Sequence, residues 1–149
     1  MQVGEYCNRE VVVVEEDSTI TEAARVMREY HVGDVVIVKT QYGKQVPTGI
    51  FTDRDIALEI VAKGGDPENI SVGDAMGIEL ITVHEDDGLM HVIEVMRDKG
   101  IRRVPVVDSD EALVGIMTVD DLLDIMSEVF VDIVHLVDVQ RRREARTRP

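Results

Sequence analysis

Two short elements hold the residue types that could do chemistry: Gly49-Ile50-Phe51-Thr52-Asp53-Arg54-Asp55 and Gly115-Ile116-Met117-Thr118-Val119-Asp120-Asp121. In each, Thr-x-x-Asp follows a glycine and two apolar residues, where a strand pattern gives way to a helical one. The spacing suits two uses. Thr at a helix N-cap with Asp three residues on is close to a capping box, and an acid in the first turn is favourable to the helix dipole. The free N–H groups of a helix start also suit a phosphate, and the Thr hydroxyl adds a donor. An Asp one turn in can accept both hydroxyls of a ribose. Gly49 and Gly115 leave the preceding strand without a side chain, so a flat ring could lie close to backbone. One such element reads as a cap; the same element twice points to a ligand.

The remaining polar clusters carry less. His84, Asp86 and His91 invite a metal, but a His spacing of i, i+7 is not the i, i+4 of a zinc helix, and one cysteine offers no thiolate cluster. Asp120-Asp121 with Asp124 could hold a divalent cation bridging to phosphates, but an acidic helix start is the better explanation of them. No Ser/His/Asp or Cys/His nucleophile arrangement is legible. No catalysis and no resident metal are expected.

The elements that position the two motifs are themselves duplicated. Residues 3–38 align gaplessly with residues 72–107 at a spacing of 69, with eleven of the 36 pairs identical. Register resumes at a spacing of 66 after a loop three residues longer in the first copy. Val11–Val14 and Leu80–Val83 read as buried strands. Thr19-x-x-Glu22 and Asp87 are N-cap signals before amphipathic helices, one closing at His31 and the other at Gly100. Val35–Val38 and Val104–Val107 are second strands, and Val46–Phe51 and Ala112–Met117 are third strands that run into the Thr-x-x-Asp helices. Each copy is β-α-β-β-α, with a right-handed parallel crossover and then an antiparallel hairpin. The predicted segments are a first repeat at 3–63, a linker at 64–71, a second repeat at 72–130 and a C-terminal helix and tail at 131–149.

A repeat of about 60 residues is marginal alone, so the copies should share an interface and fold as one module. The 149-residue chain is 44% hydrophobic but has two Phe and no Trp, which makes its core aliphatic. Cys7 aligns with Met76 and reads as a small buried hydrophobe; one cysteine fits a reducing cytoplasm. No signal sequence or membrane span is legible. The net charge is −14, split into −18 over residues 1–140 and +4 over residues 141–149. So acidic a body repels nucleic acid and anionic membrane. The basic tail, Arg141 to Arg148, reads as a solvated helix end. Four Lys against twelve Arg, with the acidity, is compatible with a salt-adapted proteome. The last helix outruns its counterpart with an apolar stripe, Leu122, Met126, Val129, Phe130, Ile133, Val134 and Val137, for which a second subunit is the economical partner.

Taken in order, Val72-Gly73-Asp74-Ala75-Met76 leading into Leu80-Ile81-Thr82-Val83, Gly100-Ile101-Arg102-Arg103-Val104-Pro105-Val106-Val107-Asp108, and the two Gly-x-x-Thr elements resemble a tandem pair of CBS domains, the Bateman module. The resemblance covers residues 3 to about 130. It implies an α/β (α+β) fold of two pseudo-symmetric β-α-β-β-α repeats packed sheet to sheet as one module, here as a stand-alone protein. It also implies an adenosine-containing ligand (AMP, ADP, ATP, NAD or S-adenosylmethionine) in a cleft between the repeats. By the same resemblance Asp55 and Asp121 are ribose-binding acids, and Thr52 and Thr118 are phosphate or ribose contacts. Arg102 stands where a basic phosphate ligand is common, with Arg103 adjacent, and the backbone near Val14 and Val83 frames the base. Mg²⁺ would enter only with ATP.

One departure breaks the symmetry: Gly33-Asp34 and Val36 stand where the second copy has Arg102-Arg103 and Pro105. An Asp beside a phosphate opposes binding, so the two clefts should differ. The expectation is a cytoplasmic, homodimeric nucleotide-sensing module signalling to a partner protein. The competing expectation is a structural dimerisation module whose clefts stay empty.

Overall fold

The computed structural model describes residues 1–77 and 79–148, so Pro149 at the end of the tail segment lies outside the described residues. Met1–Met117 form one compact unit and Thr118–Pro149 a second. The first begins with α1 (Val3–Tyr6), β1 (Val13–Glu15), α2 (Ile20–Tyr30), β2 (Asp34–Gln41) and β3 (Lys44–Thr52). Then come α3 (Asp53–Asp55) and a π-helical stretch, Ile56–Val61. The second copy supplies α4 (Val72–Ala75), β4 (Val83–His84), α5 (Leu89–Lys99), β5 (Arg103–Val107) and β6 (Leu113–Thr118), whose last residue opens the second unit.

The strands form two three-stranded sheets, β1-β2-β3 and β4-β5-β6. β1 runs parallel to β2, with Val13 beside Val36, and β2 turns back antiparallel into β3; β4 runs parallel to β5, with Val83 beside Val106. This is the predicted β-α-β-β-α order. The first strand of each copy begins later than its apolar run suggests, because residues 11–12 and 80–82 are not in a strand.

The run Val35-Val36-Ile37-Val38 is fully buried because the sheet is covered on both faces. Val35 and Ile37 pack with Ile20, Ala23 and Met27 of α2 and with Phe51. Val36 and Val38, on the opposite face, pack with Ile116 of the second sheet and with Val11, Val13 and Leu113. The second cluster joins the sheets; burying each such side chain is worth roughly 1.5–3 kcal/mol.

Local chemistry sets the helix ends. Thr19 and Glu22 form a reciprocal capping box at α2, with bonds of 3.1 and 3.0 Å. The N-cap of α5 is Gly88 rather than Asp87. The Asp87 carboxylate accepts the His84 N–H at 2.9 Å instead, closing the turn before the helix.

The opening segments are exchanged between copies. In α1, the N–H groups of Val3 and Gly4 donate to the carbonyls of Asp87 and Glu85 at 2.8 and 2.9 Å. In α4, those of Val72 and Gly73 donate to Ser18 and Glu16 at 2.8 and 2.9 Å. Asn8 extends the exchange by an antiparallel bridge to Ile116 of β6. A Cβ on Gly4 or Gly73 would lie 2.8 Å from the Glu85 or Glu16 carbonyl oxygen, which explains the glycine of each Val-Gly pair.

The second unit is α6 (Val119–Thr147), 29 residues long, or about 44 Å. Thr118 and Asp121 form its capping box. No helix among the described residues is long and apolar enough to cross a membrane.

Candidate functional site

The first unit holds a cleft of about 460 Å³ lined by both copies, within the range of roughly 300–1,000 Å³ usual for small-molecule sites. The first copy contributes Ile50, Thr52, Arg54 and Asp55, from the end of β3 and the start of α3. The second contributes Glu79, Leu80 and Ile81 before β4, and Gly100 to Arg103 from the end of α5 into the start of β5. Thr52, Asp55, Arg102 and Arg103 are thus brought together from sequence positions about fifty residues apart.

Thr52 and Asp55 are held by each other. The Asp55 N–H donates to Thr52 Oγ1 at 3.1 Å, and Asp55 Oδ2 accepts the Thr52 N–H at 2.9 Å. This is the capping use of the motif, and it fixes both side chains at the cleft wall. It leaves Asp55 Oδ1 and the Thr52 hydroxyl hydrogen without a protein partner among the described residues. The copy at α6 differs. Thr118 Oγ1 also donates to Asp121 Oδ2 at 2.9 Å, so the second motif is closed on itself.

Arg103 faces Asp34 across the two copies, Nε to Oδ2 at 3.3 Å, with side chains about one-third exposed (33% and 28%). The Nε atom is shielded from solvent yet lacks hydrogen-bond geometry to any acceptor among the described residues. The pair is Coulombic, and this shielded N–H is not committed to an acceptor. Three arginines (54, 102 and 103) against Asp55 and Glu79 make the lining net positive, in a chain whose overall charge is −14.

Val14 and Val83 are buried in the core, and Leu80 and Ile81 take the place at the cleft expected for residues near Val83. Sequence reasoning passed over Leu80, Ile81, Glu79 and Ile50 because an apolar run reads as a strand before it reads as a wall.

The open face expected at Gly49 and Gly115 is filled. A Cβ on Gly49 would lie 2.7 Å from Met76 Sδ, and one on Gly115 would lie 2.5 Å from Cys7 Sγ and 2.9 Å from the Asn8 carbonyl oxygen. The exchanged opening segments cover both glycines. Among the described residues, no group of three or more His, Cys, Asp or Glu is placed to hold a metal ion.

Comparison with known proteins bears on the family and the fold. The CBS domain pattern matches the chain twice, at residues 3–62 and 72–128. An uncharacterized protein of Methanopyrus kandleri is 39% identical over 125 residues, which is 84% of this chain and 62% of that protein, so this chain spans less than two thirds of that relative. A CBS domain protein from Pyrobaculum aerophilum, solved in complex with AMP, superposes with a TM-score of 0.72 at 30% identity, covering 82% of this chain and 90% of the other. A CBS domain pair solved with 5′-methylthioadenosine and S-adenosyl-L-methionine gives 0.71 at 29% identity, covering 86% and 97%.

Proposed function

The chain belongs to the CBS domain family, and on that premise we propose that it is a regulatory, non-catalytic module that binds an adenosine-containing ligand in the Thr52–Asp55 cleft and signals to a protein partner. The observation that carries the reading is the convergence of Thr52 and Asp55 from one copy with Arg102 and Arg103 from the other around one cleft. The complexes of similar proteins with AMP and with methylthioadenosine and S-adenosylmethionine support the ligand class.

In this reading Asp55 Oδ1 accepts from the ribose hydroxyls, and Thr52 donates to a phosphate or the ribose. Arg102 and Arg103 hold the phosphate, while Ile50, Leu80 and Ile81 bracket the base. Because the wall belongs to both copies, ligand favours the arrangement in which Arg103 turns from Asp34 to the phosphate. The shift in population equals the difference in affinity for the two arrangements. The working form is a cytoplasmic homodimer, with Mg²⁺ present only if the ligand is ATP.

Titration calorimetry with AMP, ADP, ATP, NAD and S-adenosylmethionine, in low and high salt, tests this. The expected result is saturable heat with at least one of them, lost in Asp55→Ala. Arg102→Ala should weaken a phosphorylated ligand about tenfold more than adenosine, the scale of one charge-assisted hydrogen bond. No heat with any ligand, and no adenosine-like density in the cleft, would sink the reading.

A second reading is favoured by one observation: both Thr-x-x-Asp motifs already serve as helix caps. The protein would then be a structural dimerisation module with empty clefts. Replacing both Asp55 and Asp121 by Ala would cost about 1 kcal/mol per cap and leave partner binding intact.

A further inference from the structure

We propose that the cleft is built for a nucleoside diphosphate, and that Arg54 is the residue that holds the second phosphate. The inference rests on the nucleotide reading above and narrows it to one ligand class. It starts from positions at which the two copies differ in charge. Arg54 stands where the second copy has Asp120, Arg102 where the first has Gly33, and Arg103 where the first has Asp34. All three arginines line the same cleft. Residues 1–140 hold eleven Lys and Arg against 29 Asp and Glu, so this gathering is unlike the average surface of the chain.

Two of the three guanidinium groups are uncommitted. Arg103 is paired with Asp34, but the side chains of Arg54 and Arg102 have no ion-pair or hydrogen-bond partner among the described residues. Glu79 of the same lining pairs with none of them. The backbone of Arg54 is held in place: its N–H donates to Asp53 Oδ1 at 2.8 Å, within the Thr52–Asp55 cap. Like charges gathered in one cleft repel one another, and a bound anion relieves that repulsion.

The arrangement separates ligands by phosphate number. Arg102 and Arg103 are neighbours on one copy, whereas Arg54 comes from the other copy with Thr52 and Asp55. A monophosphate carries about two negative charges and one set of acceptor oxygens, which a bidentate guanidinium and its neighbour occupy. A nucleoside diphosphate carries about three charges, matching the three arginines, and its longer anionic chain extends to a guanidinium on the other copy.

Titration calorimetry on the full chain with adenosine, AMP, ADP and ATP tests the assignment. ADP should bind about tenfold more tightly than AMP, the scale of one charge-assisted hydrogen bond, and ATP no more than about twofold more tightly than ADP. Arg54→Ala should lower ADP affinity about tenfold, to the level of AMP, and move AMP by less than about twofold. Arg54→Lys, a point charge without the fork, should recover part of the ADP affinity. Arg54 is exposed, so the circular dichroism and denaturant midpoint of either variant should match the wild type. Equal losses of AMP and ADP affinity in Arg54→Ala would place Arg54 on the first phosphate and overturn the assignment. ATP binding about tenfold more tightly than ADP would overturn the charge match to a diphosphate. Binding of adenosine and AMP with no gain for ADP overturns this inference and leaves the nucleotide reading standing, whereas no heat with any of the four ligands overturns both.

Discussion

Asp34 and Arg103 occupy the same position in the two copies, 69 residues apart, and they meet as an ion pair, Oδ2 to Nε at 3.3 Å. The substitution that breaks the repeat is therefore reconciled at the boundary between the copies. Arg103 also lines the cleft, so under the proposed function Asp34 and a ligand phosphate would compete for one guanidinium. The pair is partly exposed and screened, which makes it exchangeable rather than a fixed anchor.

Asp34→Asn removes that competitor without changing side-chain shape. Affinity for AMP should rise about fivefold, near 1 kcal/mol, while affinity for adenosine stays level. Calorimetry on the two ligands reads the difference. Equal gains for both would show that Asp34 acts on the shape of the cleft and not on its charge.

The elements legible in the sequence were those that local forces decide. Apolar alternation placed Val35 to Val38, the Thr19–Glu22 box placed α2, and the Thr52 and Thr118 motifs placed the helix starts that follow β3 and β6. The residues that were not legible depend on packing between distant segments. Nothing near Leu80 says that its backbone leaves the sheet to face Thr52. Nothing near Gly115 says that Cys7 will lie on it. The repeat held a clue to the exchange, since Val3-Gly4 and Val72-Gly73 are paired glycines with no turn to explain them. A close backbone approach was the remaining reason.

Those glycine contacts give an ordering of damage. At Gly49 the obstacle to a Cβ is chiefly Met76 Sδ, a flexible side-chain atom. At Gly115 it is Cys7 Sγ together with the Asn8 carbonyl, which is backbone held by the bridge to Ile116. Gly115→Ala should cost about 1–3 kcal/mol, the usual range for overpacking, and Gly49→Ala should cost less. Denaturant midpoints of the two variants check the order; a larger loss at Gly49 would contradict it. Cys7→Ala should recover only part of the Gly115→Ala loss, because the Asn8 carbonyl remains.

A third contact between copies is set by pH. Lys44 and Asp110, on the hairpin turns of the two copies, form an exposed ion pair. The hydrogen bond from Lys44, and then its charge, hold the Asp110 carboxyl below its ordinary 3.8, and the same hydrogen bond raises Lys44 above 10.5. Because the carboxyl is depressed in the fold, its contribution is complete above 3.8 and disappears as pH falls through the lower folded value. Because the ammonium is raised, its contribution is complete below 10.5 and disappears as pH rises through the higher folded value. The Tm difference between the wild type and Lys44→Gln should thus be flat between those limits, shrink at both ends, and shrink in high salt. A difference that grows toward acid would contradict the pairing.

His31 offers the opposite kind of change, a gain. It ends α2 at φ 54°, in the left-handed region, and its N–H donates to the Met27 carbonyl. The equivalent position in the second copy is Gly100 at φ 65°. A side chain with a Cβ costs roughly 1–2 kcal/mol in that conformation, while glycine adopts it freely. Glycine also loses more entropy on folding, which offsets part of the gain. His31→Gly should therefore raise stability by about 0.5–1 kcal/mol. His31 is exposed and lies outside the cleft lining, so ligand affinity should not move with it. Urea denaturation with and without AMP measures both quantities at once. A loss of stability would mean that the imidazole makes a compensating contact, and a changed affinity would mean that the end of α2 is coupled to the cleft.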